Sequence, residues 1–327
     1  MKNLLLVFLL ALATTANAQN ILRVNNTLGV NAPYATIAAA VAAAGVNDII
    51  QVEGSITNYG GITITKKVSI IGPGFFLNEN SGLQANLNPA NFGTITLNTG
   101  ASGSVIQGLQ MTGLVLAGDI SNFTFTGNYV NGNVQTGNGN GTNHLFNSNY
   151  IFQFSGDFQS PNYTNVLVTN NYIGFRFGAS DNGIYVVSNN VIALTAVSNF
   201  KNAEVKNNIF FGGSAVISLS ANSVLKNNIS TSTVIAGADP INVWNASASS
   251  LFVGLTGNAT DTQWRLKSGS PAIGAGEGGI DCGMYGGSAP YRPSGIQVGQ
   301  PTITNFSTPT TVPQNGTLNV KVSAKVN

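Results

Sequence analysis

Residues 168–173, Val-Thr-Asn-Asn-Tyr-Ile, are one of six versions of a single phrase. The others are Phe-Thr-Gly-Asn-Tyr-Val (125–130), Phe-Asn-Ser-Asn-Tyr-Ile (146–151), Val-Ser-Asn-Asn-Val-Ile (187–192), Val-Lys-Asn-Asn-Ile-Phe (205–210) and Leu-Lys-Asn-Asn-Ile-Ser (225–230). Their fourth residues, Asn128, Asn149, Asn171, Asn190, Asn208 and Asn228, follow one another after 21, 22, 19, 18 and 20 residues. A period near twenty marks a solenoid. Each phrase reads as a strand, a bend and a strand. Asn suits the bend because its short amide tolerates left-handed backbone angles and bonds to its own turn. With one repeat per coil, the asparagines stack at the strand spacing of about 4.8 Å. Each side-chain amide then donates and accepts along the stack.

Composition agrees with an uncharged β-rich chain. Of 327 residues, 43% are hydrophobic and only 7% charged, too apolar for disorder and too weakly charged for an ordinary globular surface. Without Lys2 the balance is 12 basic against 11 acidic residues, so no field steers a polyanion and nucleic acid is excluded as a partner. Residues 1–18 read as a signal peptide: Lys2, the apolar run Leu4–Leu12, and the cleavage signal Ala16-Asn17-Ala18. That run is too short to span a bilayer, and no other stretch qualifies. The expectation is a secreted or cell-surface bacterial protein. Cys282 is the sole cysteine, so no disulfide framework exists and a buried apolar role is expected for it.

Along the chain, the alanine-rich run 34–45 predicts a short helix stopped by Gly45. It is apolar enough to cap the open end of a solenoid. Asp48–Gly54 and Gly61–Gly72 carry strand alternation. Residues 75–92, 131–143 and 153–165 break the rhythm and are expected to bud as loops. Asn242-Val243-Trp244 and Leu251-Phe252-Val253 suggest two last coils. Residues 288–315, with five prolines, predict an extended linker, and 316–327 one strand in need of a partner.

Two segments carry a family resemblance. Tyr34-Ala-Thr-Ile through Asp48-Ile-Ile-Gln-Val, followed by Ile62-Thr-Ile-Thr-Lys-Lys-Val-Ser-Ile-Ile-Gly-Pro-Gly74, resembles the opening of bacterial proteins of the pectate-lyase-like superfamily. Leu266-Lys-Ser-Gly-Ser-Pro-Ala-Ile-Gly-Ala-Gly276, ending Gly279-Ile-Asp-Cys-Gly, is similar to their closing segment over the last coil, with Cys282 as a departure. The resemblance implies an all-β, right-handed parallel β-helix, here of ten to eleven coils over 19–287. It says little about activity, because that superfamily holds lyases, hydrolases, esterases and non-enzymes.

Three features bear on function. Tyr129, Tyr150 and Tyr172 each follow an aligned Asn, and the next residues are Val130, Ile151 and Ile173. Only one of two strand neighbours points inward. The family pattern implies that the second set is core, leaving the tyrosines stacked outside, where their rings suit sugar faces. The plain alternative is cross-rung stacking with no ligand. Asp157, Arg176, Asp181 and Lys201 fall on successive coils and are the catalytic candidates. A polysaccharide lyase needs a cation against the uronate carboxylate and a base for the C5 proton, and Arg176 or Lys201 offers both. Two acids are too few for calcium, which takes six to eight oxygens, and calcium enters only if the chain is a lyase. No paired carboxylates serve a glycosidase. Ordinary surface ion pairs are the alternative. His144 lacks a second histidine, so no metal site is expected. Lys206 and Lys226 stack in sequence register and predict an outward, solvated column.

These features favour a non-catalytic, monomeric spine without cofactor, with polysaccharide or cell-surface glycan as its partner. The competing reading is a lyase of acidic polysaccharide.

Overall fold

Short strands with apolar residues at every second position have one face to bury, and a coil of the solenoid satisfies two of them at once. The computed structural model describes residues 19–326 apart from 138, 155–162, 176, 178–184, 194–197, 201, 213–216, 220, 221, 233–238, 297, 298 and 300. Ten strands stack in parallel in chain order to form a first sheet, from Ile21–Val24 and Ile49–Val52 down to Val224–Lys226. Nine more, from Ile62–Ile64 to Ile229–Ser230, form a second sheet in the same order. Nine coils therefore carry both strands, slightly fewer than expected. Ile21–Val24 adds a rung to the first sheet alone, in the segment before the predicted first strand. Parallel crossovers of this kind are right-handed in about 98% of cases.

Register makes the core a set of columns. Ile50, Ile70, Ile106, Phe125, Phe146, Val168, Val187, Val205 and Leu225 are successive partners in the first sheet, and none is more than 1% exposed. In the second sheet Val130, Ile151, Ile173, Ile192 and Phe210 are fully buried, so the second residue after each asparagine is core, as expected. Each such side chain stabilises by about 1.5–3 kcal/mol relative to exposure. Helix α1 (Ile37–Ala43) sits at the first rungs, its Thr36 hydroxyl accepting from Ala39 N, and buries Ile37, Ala40 and Val41. It is shorter than the predicted 34–45.

At the corner between the sheets the two asparagines of the repeat divide the work. The left-handed residue is the one before the aligned position: Gly127, Ser148, Asn170, Asn189, Asn207 and Asn227, with φ between 53° and 59°. The aligned asparagines are fully buried and form the ladder. Asn171 Oδ1 accepts from Asn149 N (2.9 Å) and Asn149 Nδ2 (2.9 Å), and the same pair of bonds recurs from Asn128 down to Asn242. Each Nδ2 also donates to the carbonyl of a residue on the coil above, as Asn171 does to Phe146 O (2.9 Å). At the top Leu109 N replaces an asparagine as donor to Asn128 Oδ1 (3.0 Å). Asn242 closes the series, as expected for a further coil.

Three segments differ from expectation. Residues 131–143 are no budding loop: Tyr129–Thr136 and Gly141–Asn147 are both strands, because the glycines there fit beneath neighbouring backbone. Of 153–165, residues 155–162 lie outside the described residues. The segment 264–287 does not close the last coil. It turns back and climbs the outside of the corner as a strap that continues to Ile296, beyond the predicted boundary at 287. Its Ala275, Asp281, Met284 and Gly286 carbonyls accept from the Nδ2 groups of Asn227, Asn189 and Asn170. Beyond it, the final strand Lys321–Val326 finds its partner in Pro301–Ser307, inside the expected linker, as an antiparallel hairpin.

Candidate functional site

The first residue after each corner asparagine points out of the second sheet. Gln110, Tyr129, Tyr150, Tyr172, Val191, Ile209 and Ile229 follow one another in register. Tyr129, Tyr150 and Tyr172 therefore stack outside the coil, as expected, with centroids 5.8 and 4.2 Å apart. Their exposure is not as expected. Tyr150 is 9% exposed, and Val191, Ile209 and Ile229 are buried. Trp264 of the strap stacks on Tyr172 at 4.8 Å, and its Nε1 donates to the Tyr150 hydroxyl (3.4 Å). Phe76, from the loop after the third rung of the first sheet, covers Tyr129 and Tyr150 at 4.8 and 5.3 Å. The correction has a simple cause: an outward apolar column six rungs long, from Tyr129 to Ile229, exposes too much hydrophobic surface, and chain from elsewhere in the protein covers it. Burial raises the Tyr150 hydroxyl well above the ordinary tyrosine pKa and raises that of Tyr172 as well.

A buried carboxylate joins the two covering segments. Asp261 is fully buried and accepts from Asn80 Nδ2 (2.9 Å), Tyr291 Oη (3.0 Å) and Ser294 N (2.7 Å). Its backbone carbonyl accepts from Tyr285 Oη (3.1 Å). Neither Asp261 nor the lids Phe76 and Trp264 was identified from sequence. The usable signal was Phe75-Phe76-Leu77, an apolar triplet too costly to leave on a free loop.

Lys206 and Lys226 stack in register, but they are not simply solvated. Each reaches Glu204 at 3.2 Å and Glu277 at 2.8 Å, so one solenoid acid and one strap acid bracket two lysines. Hydrogen bonds from Lys206 and then Lys226 pull Glu277 down to a pKa of about 2. Cys282 is buried against Asn227 O, and burial raises its thiol to about 12, in keeping with an inert apolar role. His144 lies inside the first sheet between Phe123 and Tyr163, 1% exposed, and burial lowers its pKa to about 4.

The catalytic candidates Asp157, Arg176, Asp181 and Lys201 all lie outside the described residues. Among the described residues no group of three His, Cys, Asp or Glu is placed to hold a metal ion, and no helix is long and apolar enough to cross a membrane.

Two continuous parallel sheets joined by a buried asparagine corner decide the architecture. The fold is a parallel β-helix. No protein-family model matches this chain, and no curated protein is similar to it. Among solved structures, the crystal structure of pectate lyase Pel9A is similar, with a TM-score of 0.49 and 16% identity over 83% of this chain and 98% of that one. Such a likeness is one of fold, and the β-helix assignment stands on its own ladders.

The outer face of the first sheet next to the corner is uncharged over most of its length. The column runs Gln51, Ile71, Gln107, Thr126, Asn147, Thr169 and Ser188 before it reaches Lys206 and Lys226. Apart from Ile71 and the buried Ser188, the amides and hydroxyls of this column form a row of groups that both donate and accept, with successive rungs about 4.8 Å apart.

Proposed function

We propose that this chain is an exported, non-catalytic β-helix, a rigid spine that contacts carbohydrate through uncharged polar columns. One observation carries the non-catalytic part. The chain has eleven acids, and nine remain when Asp157 and Asp181 are set aside. All nine hold structure together. Asp48, Asp119, Asp239 and Asp281 accept from backbone N–H groups in their turns and on neighbouring coils. Glu79 accepts from Thr260 N, and Asp261 ties the lid to the strap. Glu53 pairs with Arg23, and Glu204 and Glu277 with the two lysines. Carboxylates committed in this way are poor general bases, because protonating or moving one breaks a contact that the fold uses.

The contact with carbohydrate draws support from the row of amides and hydroxyls, whose chemistry matches sugar hydroxyls. The test of catalysis is absorbance at the unsaturated-uronate band with a panel of acidic polysaccharides. The expected result is no turnover. Turnover abolished by Arg176→Ala or Lys201→Ala would overturn the non-catalytic reading in favour of a lyase.

A further inference from the structure

Beside the first coils, on the first-sheet side of the corner, the C-terminal hairpin stands over the solenoid and leaves a cleft of about 580 Å³. That volume lies within the range of small-molecule sites, roughly 300–1,000 Å³. Its floor is the top of the polar column. Gln51 and Gln107 are one Ile71 rung apart and flank it on the outside, because their neighbours Ile50 and Ile106 point inward. Asn86 adds a third amide from the loop beyond the third rung, oriented by the bond its Nδ2 donates to Gly54 O (3.4 Å) and by those its Oδ1 accepts from Asn88 N (3.0 Å) and Nδ2 (3.1 Å).

The opposite wall is apolar. Pairing of Ile303 with Ala324 and of Phe306 with Val322 gives the hairpin one hydrophobic face. Ile303 and Phe306 line the cleft and remain 51% and 59% exposed. Ala85 N donates to Ile303 O (2.7 Å) and pins this strand to the loop, so the wall is attached rather than free. Among the described residues of the lining the one charged side chain is Glu53, already paired with Arg23 and Asn25.

We propose that this cleft binds a neutral oligosaccharide, with its ring faces on Phe306 and Ile303 and its hydroxyl edges on Gln51, Gln107 and Asn86. Amides suit hydroxyls because each offers a donor and an acceptor. An aromatic ring suits the C–H face of a pyranose because it buries apolar area without a polar demand. An acidic sugar is disfavoured: its carboxylate would meet Glu53, and no cation lines the cleft among the described residues. This inference rests on the carbohydrate-contacting reading above.

The experiment is calorimetric titration of the full chain with neutral gluco-, manno- and xylo-oligosaccharides and with an oligogalacturonate. Phe306→Ala and Gln107→Ala are titrated in parallel, and thermal unfolding confirms that each variant is folded. A neutral oligosaccharide that binds the parent chain, and binds each variant at least tenfold more weakly at unchanged Tm, supports the cleft. Neutral binding that both variants leave unchanged overturns the cleft and leaves carbohydrate contact elsewhere intact. Binding of the oligogalacturonate alone overturns the neutral assignment only. Absence of binding to every sugar overturns the carbohydrate reading itself, and the cleft with it.

Discussion

Trp264 lies face to face with Tyr172, the ring centroids 4.8 Å apart and the planes 22° from parallel. The two residues are 92 positions apart, one on the second sheet and one on the strap. Their contact turns an outward aromatic column into an interior.

Trp264→Ala is therefore expected to destabilise the chain by about 2–4 kcal/mol, toward the lower part of the range for a large aromatic truncation because the ring is only partly buried. Tyr150→Ala is expected to act in the same way, lowering Tm while leaving glycan affinity unchanged. Urea unfolding of both variants, set against glycan titration, checks this. A Tyr150→Ala chain with parent stability and lost glycan binding would return the tyrosines to the role of a ligand site.

The two corner asparagines predict different costs. Asn171→Ala removes the acceptor of Asn149 N and the donor to Phe146 O, both buried, and should cost about 2–4 kcal/mol. Asn170→Gly keeps the left-handed backbone, at φ 57°, and loses the bonds to Met284 O and Gly286 O, together with the one its Oδ1 accepts from the half-buried Thr169 hydroxyl (2.7 Å), which water can replace. Its cost should be about 1–2 kcal/mol, at roughly 1 kcal/mol per bond. Equal unfolding midpoints for the two would contradict the division of labour.

Glu277 gives a sign for acid sensitivity. Its folded pKa, about 2, is depressed below the ordinary glutamate value of 4.5. Its contribution is complete above pH 4.5 and disappears as pH falls toward 2. Glu277→Gln should flatten the dependence of Tm on pH in that window. Because the cluster is partly exposed, 1 M salt should flatten it as well. Lys206 and Lys226 act at the other end: both pKa values are raised above 10.5, so their contribution persists through neutral pH and is lost in strong alkali.

His144 acts in a separate window. Its folded pKa of about 4 lies below the ordinary 6.5, so the unfolded chain takes up the proton first. Stability is complete above pH 6.5 and falls as pH drops toward 4, by about 3 kcal/mol for a shift of this size. Phe123 and Tyr163, the rings against it, carry no positive charge that would oppose protonation further. His144→Phe should remove the slope between pH 6.5 and 4, whatever it does to absolute stability. A slope unchanged in the variant would assign the effect to other groups.

The sequence by itself determined the period, the corner and the inward columns. Those follow from local rules: strand alternation decides which of Tyr172 and Ile173 faces the core, and only a few residues tolerate a left-handed bend. Even there it placed the bend one residue late, because two adjacent asparagines look alike until the backbone shows that Asn170 turns and Asn171 is buried. What it could not supply was the outside. Tyr150 was legible as outward but not as covered, since its cover comes from Phe76 and Trp264, and no periodic pattern links positions so far apart. Lys206 and Lys226 likewise looked solvated until the strap brought Glu277 to them. Contacts between consecutive coils repeat and can be read from one repeat to the next. Contacts of the strap, the loop and the hairpin occur once, between residues distant in sequence, and only the tertiary structure decides them.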